Sequence, residues 1–267
     1  MKRADSAKVA AAVGAAMEIH HKLRPPHGWR EFLFEIGTIV LGVLLALGAE
    51  QTVEAMHRAH QVEEAESAMR SELLTDDGLQ AYTRAAISGC FATQLAAMRY
   101  ALEAGADRKT FYDMANSYGP PVRSWDDQAW TSAKASNVAA LMGAKRLNAW
   151  SSAYNAIPPM DRVAMNEIND LVALKTGRRS PGKLSDAETD RFLLTVDRLA
   201  NENLGLGILS LGVLNGMGKA GIELAPATRR ALLTEAHNRF GPCVKEPDVG
   251  IWRSLGQTSD PNAVRLP

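Results

Sequence analysis

The feature that most constrains this chain is the run from Phe32 to Ala49, FLFEIGTIVLGVLLALGA, the one segment long and apolar enough to cross a lipid bilayer. As a helix, its 18 residues span about 27 Å, close to the roughly 30 Å thickness of the hydrocarbon layer. Glu35, near one end, is the only charge inside it. The expectation is a single transmembrane anchor over residues 29–50, with the lipid bilayer as its first partner. A cleaved signal peptide is the competing reading, because Ala46-Leu47-Gly48 offers small residues where a peptidase would cut. A long region before the apolar run, the interruption by Glu35 and a near-spanning length all favour an anchor that is kept.

Flanking charge sets the expected direction, since Lys and Arg resist translocation while Asp and Glu count for little. Lys2, Arg3, Lys8, Lys22, Arg24 and Arg30 precede the run; Arg58 and Arg70 follow it, among Glu50, Glu54, Glu63, Glu64 and Glu66. Residues 1–28 are therefore expected to be a cytoplasmic tail, and the remainder to lie on the far side. In a Gram-negative bacterium that side is the periplasm and the membrane is the inner one. Trp29 and Glu35 at one end, and Glu50 at the other, are expected to sit at the membrane interfaces.

About 217 residues follow the anchor, enough for one large or two small domains with a real core. The whole chain has a formal charge of zero, and from Ile36 onward 24 basic residues face 26 acidic ones. No basic surface is advertised, so nucleic acid is not an expected partner. Aromatic residues make up only 6% while Ala and Leu abound, which suits packed helices better than sheets.

The fold class expected is all-α, with the anchor continuing into a long helix and a multi-helix bundle following. Val53, Met56, Ala59, Val62, Ala65, Met69 and Leu73 carry a three-four spacing past the span to about Leu74. Asp76-Asp77-Gly78 should cap a second helix, Leu79 to Glu103, with an apolar stripe of Ile87, Phe91, Leu95, Met98 and Leu102. Further helices are expected over 108–116, from Asp126 or Asp127 through Ala133, over 137–150 and over 160–175. Pro158-Pro159 should punctuate a connection, and GRRSPG at 177–182 should form a polar loop. Ser185-Asp186-Ala187-Glu188 reads as a capping box opening a helix through at least Asn203, and Pro226 opens the last one, ending near Phe240. The helical domain is bounded at 51–244, with a loose tail at 245–267.

Thr38, Gly42, Ala46 and Ala49 align small side chains along one side of the anchor. Such a face lets membrane helices approach closely, so a homodimer or a partner membrane helix is the expected occupant. Cys90 and Cys243 are the only cysteines. On the oxidising side of a membrane they are expected to pair as a disulfide, with two separate buried thiols as the alternative.

Catalytic, metal and cofactor sites are not expected. Gly216-Met217-Gly218-Lys219-Ala220-Gly221 matches GxGxxG, but its surroundings read as helix instead of the strand, turn and helix that a dinucleotide site requires. Glycines that allow close packing are the simpler account. His57 and His60 lack an obvious third ligand apart from neighbouring glutamates. Trp125, Trp130 and Trp150 read as packing residues.

The stretch Trp29-Arg30-Glu31-Phe32-Leu33-Phe34-Glu35, followed by Ile39 to Leu47 and Glu50-Gln51, resembles a group of uncharacterised bacterial single-pass membrane proteins marked by a WREFLxE start and an IVLGVLxAL span. The resemblance covers about residues 28–74. It implies a helical extracytoplasmic domain and supplies no activity or catalytic residue. The function expected is therefore an interaction or scaffolding protein of the bacterial cell envelope, not an enzyme. The alternative is a ligand-binding or sensory domain coupled to the membrane helix, which would need a polar-lined pocket among the Trp125 to Trp150 helices. The sequence identifies no small-molecule ligand. A hydrolase would need His237, Asp197, Glu202 or Asp126 to cluster in one cleft.

Overall fold

The computed structural model describes residues 28–176 and 182–249. Among them the fold is all-α, in the order α1 (Trp29–Thr75), α2 (Asp77–Glu103), α3 (Arg108–Ser117), α4 (Gln128–Ala135), α5 (Val138–Leu141), α6 (Ala144–Tyr154), α7 (Ile157–Lys175), α8 (Asp186–Lys219) and α9 (Pro226–Phe240). No strand forms among these residues; an isolated bridge joins Asp107 to Lys183. The expected tail at 1–28 lies outside the described residues except for Gly28, as do most of the 177–182 loop and the chain after 249.

The chain divides into two compact units, Met1–Met56 and His57–Pro267. In the first, every described side chain is exposed: Phe34 at 79%, Leu45 at 66% and Ile39 at 62% hold their apolar surface clear of any protein. The helix there is long and apolar enough to cross a membrane, and none of its apolar window is buried.

The second unit is built around α2 and α8, its most extensively packed pair, with α6, α7 and α9 added to them. Two apolar clusters form its core. One gathers Met69 and Leu73 of α1 with Trp130, Trp150, Tyr154, Met160, Val213 and Met217. The other joins Ile87, Phe91, Leu95 and Met98 of α2 to Phe111, Phe192, Leu199 and Ala236. The stripe predicted on α2 is therefore its buried face. Ser185 and Glu188 form the reciprocal capping box, each satisfying the other's backbone N–H at the start of α8.

Several boundaries differ from expectation, each for a local reason. Pro158 and Pro159 do not interrupt a connection; they occupy the first turn of α7, where a missing N–H costs nothing and the fixed φ of proline favours the helix. The expected helix over 137–150 is two pieces, because Met142-Gly143 is extended, and it starts only after Asn137, which is left-handed with φ 59°. Asp76 makes no side-chain cap, and its own N–H continues the α1 pattern by donating to the Glu72 carbonyl. The tight passage from α1 to α2 depends on Gly78, where an added Cβ would lie 2.1 Å from the Leu73 carbonyl oxygen. The helix begun at Asp186 runs on to Lys219, taking in all but the last two residues of the glycine-rich stretch that ends at Gly221.

Cys90, midway along α2, is joined to Cys243, three residues after α9, by a disulfide with Cα atoms 5.1 Å apart. Beside it the Lys245 N–H donates to the Ala86 carbonyl, so the chain after α9 is held along α2.

Candidate functional site

A cleft of about 200 Å³ opens in the second unit between the first turns of α2, the Pro121–Trp125 segment and the last turns of α9. Its apolar wall includes Leu79, Trp125, Leu232, Ala236 and Phe240, and Gln80, Thr83 and Arg84 also line it. Arg123, Arg239, Asp76 and Glu235 also line it, all four exposed.

Arg84 is the unusual member, being only 5% exposed. Its Nη2 donates to Glu167 Oε1 at 2.6 Å and to Asn203 Oδ1 at 3.1 Å. Asn203 in turn donates through Nδ2 to the Ser88 carbonyl. This knot ties α2, α7 and α8 together in the interior. A buried ion pair of this kind offsets a large desolvation cost with Coulomb attraction and further hydrogen bonds. The offset here is partial, because Nε and Nη1 of Arg84 have no hydrogen-bond acceptor. One face of the guanidinium lies over the Phe91 ring, 5.5 Å from its centroid.

Other polar atoms nearby are also unsatisfied. The Tyr118 hydroxyl is buried without a partner; burial, then the Glu167 carboxylate, raises its pKa far above the ordinary phenol value, with Arg84 acting against them. Gln80 Nε2 donates to Asp76 Oδ1, leaving Gln80 Oε1 buried with no donor. Unmet groups of this sort are uncommon in native interiors.

A second concentration of charge lies at the α1 to α2 turn. Glu72 accepts from the Ala129 N–H at 2.9 Å, and Asp77, 1% exposed, is reached by the Asp126 N–H at 3.5 Å. Burial pushes the Asp77 carboxyl up to about 7; the Asp126 N–H opposes this, and the carboxylates of Asp76, Glu72 and Asp126 add to it. Among the described residues, no group of three or more His, Cys, Asp or Glu side chains is placed to hold a metal ion. His57 hydrogen-bonds Gln61 and His60 pairs with Glu64, so they face different partners.

The GxGxxG match lies at the end of α8 and just past it. Gly216 is where α8 meets α6: an added Cβ would stand 2.3 Å from the Ser152 carbonyl oxygen and 2.4 Å from Ala153 Cα. That glycine is a packing device, and the strand a dinucleotide fold needs is replaced by helix. Trp130 stacks on Tyr154 in the core, and Trp150 is buried with its Nε1 donating to Glu66. Of the three tryptophans singled out in the sequence, Trp125 alone lines the cleft.

The four residues of the small-residue face, Thr38, Gly42, Ala46 and Ala49, fall within one side of α1 and are all exposed; the Thr38 hydroxyl donates to the Phe34 carbonyl four residues back. The groups a hydrolase would need have separate partners: Asp197 pairs with Arg99, the His237 ring lies on the Leu233 carbonyl, and Asp126 sits at Asp77. Glu202 meets Asp170, and burial, with that second carboxylate, pushes it up to about 7.

Arg84, Glu167 and Asn203 were not distinguished in the sequence, although a signal for them exists. Arg84 stands on the stripe of Ile87 and Phe91, Glu167 between Ala164 and Leu171, and Asn203 between Leu199 and Leu206, each at apolar spacing. A polar residue in an apolar stripe marks a buried network. No protein-family model matches the chain, and no curated protein or solved structure is significantly similar to it.

Proposed function

We propose that this protein is a membrane-tethered helical interaction or scaffolding domain of the bacterial cell envelope, anchored by residues 29–50 with the N-terminus in the cytoplasm. The observation that carries this reading is the fully exposed apolar surface of that segment, where Leu33, Leu41, Val43 and Leu44 each show about half or more of their area. Contiguous apolar surface on this scale is stable only when lipid or another apolar surface covers it. The excess of Lys and Arg before the segment supports the direction. The Cys90–Cys243 disulfide suits an oxidising compartment for the second unit. Association of two anchors through Gly42 belongs to the same reading and predicts that Gly42→Ile weakens self-association in membranes.

The test is a pair of measurements on the intact chain. Carbonate washing should leave it in the membrane pellet, and a reporter fused after Pro267 should be active only on the extracytoplasmic side. Release by carbonate, or a reporter active only in the cytosol, overturns the reading. A second reading, a ligand-binding domain, is favoured by one observation: the cleft between α2 and α9.

A further inference from the structure

We infer that the protein forms a parallel homodimer through one face of α1, in which Ile39, Gly42, Ala46, Ala49, Val53 and Met56 meet the same six residues of a second copy, so that the seam runs on beyond the bilayer. The inference rests on the membrane anchor proposed above and extends the association at Gly42 to a defined register. All six residues lie in the first unit.

Spacing is the first argument. The six positions follow one another at steps of three, four, three, four and three, the alternation that keeps one side of a helix against its partner in a left-handed coiled coil. Ile39, Ala46 and Val53 fall at the first position of the seven-residue repeat, and Gly42, Ala49 and Met56 at the fourth. β-Branched residues at the first position favour two strands, and Ile39 and Val53 supply them. A straight helix drifts from this repeat by about 20° every seven residues, so a gentle supercoil keeps the seam closed over its length.

Solvent is the second. Within the apolar run the face narrows to Gly42, Ala46 and Ala49, as membrane helices need when close packing holds them together. Past Ala49 the face changes. Val53 and Met56 stand four and seven residues further on, about 6 and 10 Å along the axis, where a headgroup layer of roughly 5–8 Å is ending. Lipid tails do not reach them, yet they are 68% and 69% exposed. Larger apolar side chains gain by pairing in water, and the face carries them where water begins.

Charge points to a second copy as the occupant. In a parallel pair of identical helices each seam residue faces its own copy, so a charge there would meet its like; none of the six carries one. The repeat reaches Glu35 one step earlier, which sets the start of the seam at Ile39. Glu50 and Glu54 fall off the seam, and the flanking pairs across the two helices, Thr38 with Val43 and Leu45 with Glu50, bring no like charges together. Both copies enter the membrane in one direction, which makes the pairing parallel.

The test is a cysteine scan of the full-length chain in its native membrane. Cys90 and Cys243 are bonded to each other, so one added cysteine reports alone. Val53→Cys and Met56→Cys, oxidised in separate preparations, should each give at least roughly fivefold more covalent dimer than Gln51→Cys, Glu54→Cys and Ala55→Cys, because a disulfide needs Cβ atoms about 3.5–4.5 Å apart. Met56→Glu, added to the Val53→Cys chain, should cut its dimer yield by roughly fivefold through like-charge repulsion at the seam. The inference fails if the yields are even across the five positions, or if Gln51→Cys or Glu54→Cys leads. It fails equally if the crosslinked product does not have twice the mass of the chain, or if Met56→Glu leaves the yield unchanged. Carbonate washing of the same membranes keeps the two readings apart: retention in the pellet with an even scan overturns the seam alone, and release overturns the anchor and the seam with it.

Discussion

A carboxyl group enclosed by protein beside other carboxylates must keep its proton or cost the fold stability, and Asp77 is in that position. Its pKa rises from the ordinary 3.8 to about 7 on folding. Because the folded state holds the proton more tightly than the unfolded chain, this group favours folding most at low pH, and the advantage is lost as pH rises from about 4 through 7. Glu202, pushed up to about 7, acts in the same direction. Asp77→Asn removes one ionisation while its side-chain oxygen can still accept from the Asp126 N–H. The variant should melt about 2–6 °C above the parent near pH 8, and close to it near pH 4.5, for a gain of about 1–2 kcal/mol. Thermal unfolding followed by circular dichroism at both pH values checks this; parallel pH profiles for the two proteins would refute it. Neither the raised pKa nor the role of Arg84 was read from the sequence, although Asp77 was visible as a turn residue. What the sequence lacked was the depth of burial, set in part by the segment before α4, where the Asp126 N–H reaches Asp77.

At the scale of elements, the periodic stripes were legible and the joints were not. The three-four spacing of α2 and the capping box of α8 place both helices correctly because each signal is local. Proline was misread at 158–159, since the same residue that breaks a helix interior begins a helix comfortably. The length of α8 escaped the sequence reading because its second half is rich in glycine, a poor helix former, and only contact with α6 and α2 compensates. Gly216 makes that argument testable. A methyl group there meets Ser152 and Ala153 backbone atoms at under 2.6 Å, so α6 and α8 must separate or bend. Gly216→Ala should destabilise the domain by about 1–3 kcal/mol. Gly218→Ala, with nothing within 4 Å of its added methyl, should be neutral or stabilising by up to about 1 kcal/mol. Urea unfolding of the two variants side by side provides the comparison, and equal midpoints would show that the α6–α8 approach is not tight.

At the largest scale, the consequence of the second unit's fold lies in how α2 and the stretch just after α9, far apart in sequence, are brought together. The segment after α9 returns to the middle of α2, and the disulfide closes a loop across a separation of 153 residues. Everything from α3 to α9 lies inside that loop, so the cross-link limits the unfolded chain across most of the second unit. On the chain-entropy argument the constraint is worth about 5 kcal/mol. For a domain of this size that corresponds to a melting temperature about 10–20 °C lower once the bridge is removed. The Cys90→Ala, Cys243→Ala double variant should show that drop, and the parent treated with a reductant should melt with it. The Lys245 to Ala86 hydrogen bond and the burial of Val244 remain in the variant, so the folded structure near α9 should persist below the transition. A double variant that melts within about 2 °C of the oxidised parent would mean that these contacts hold the stretch after α9 without the bridge, and that the unfolded state is compact enough for the cross-link to add little.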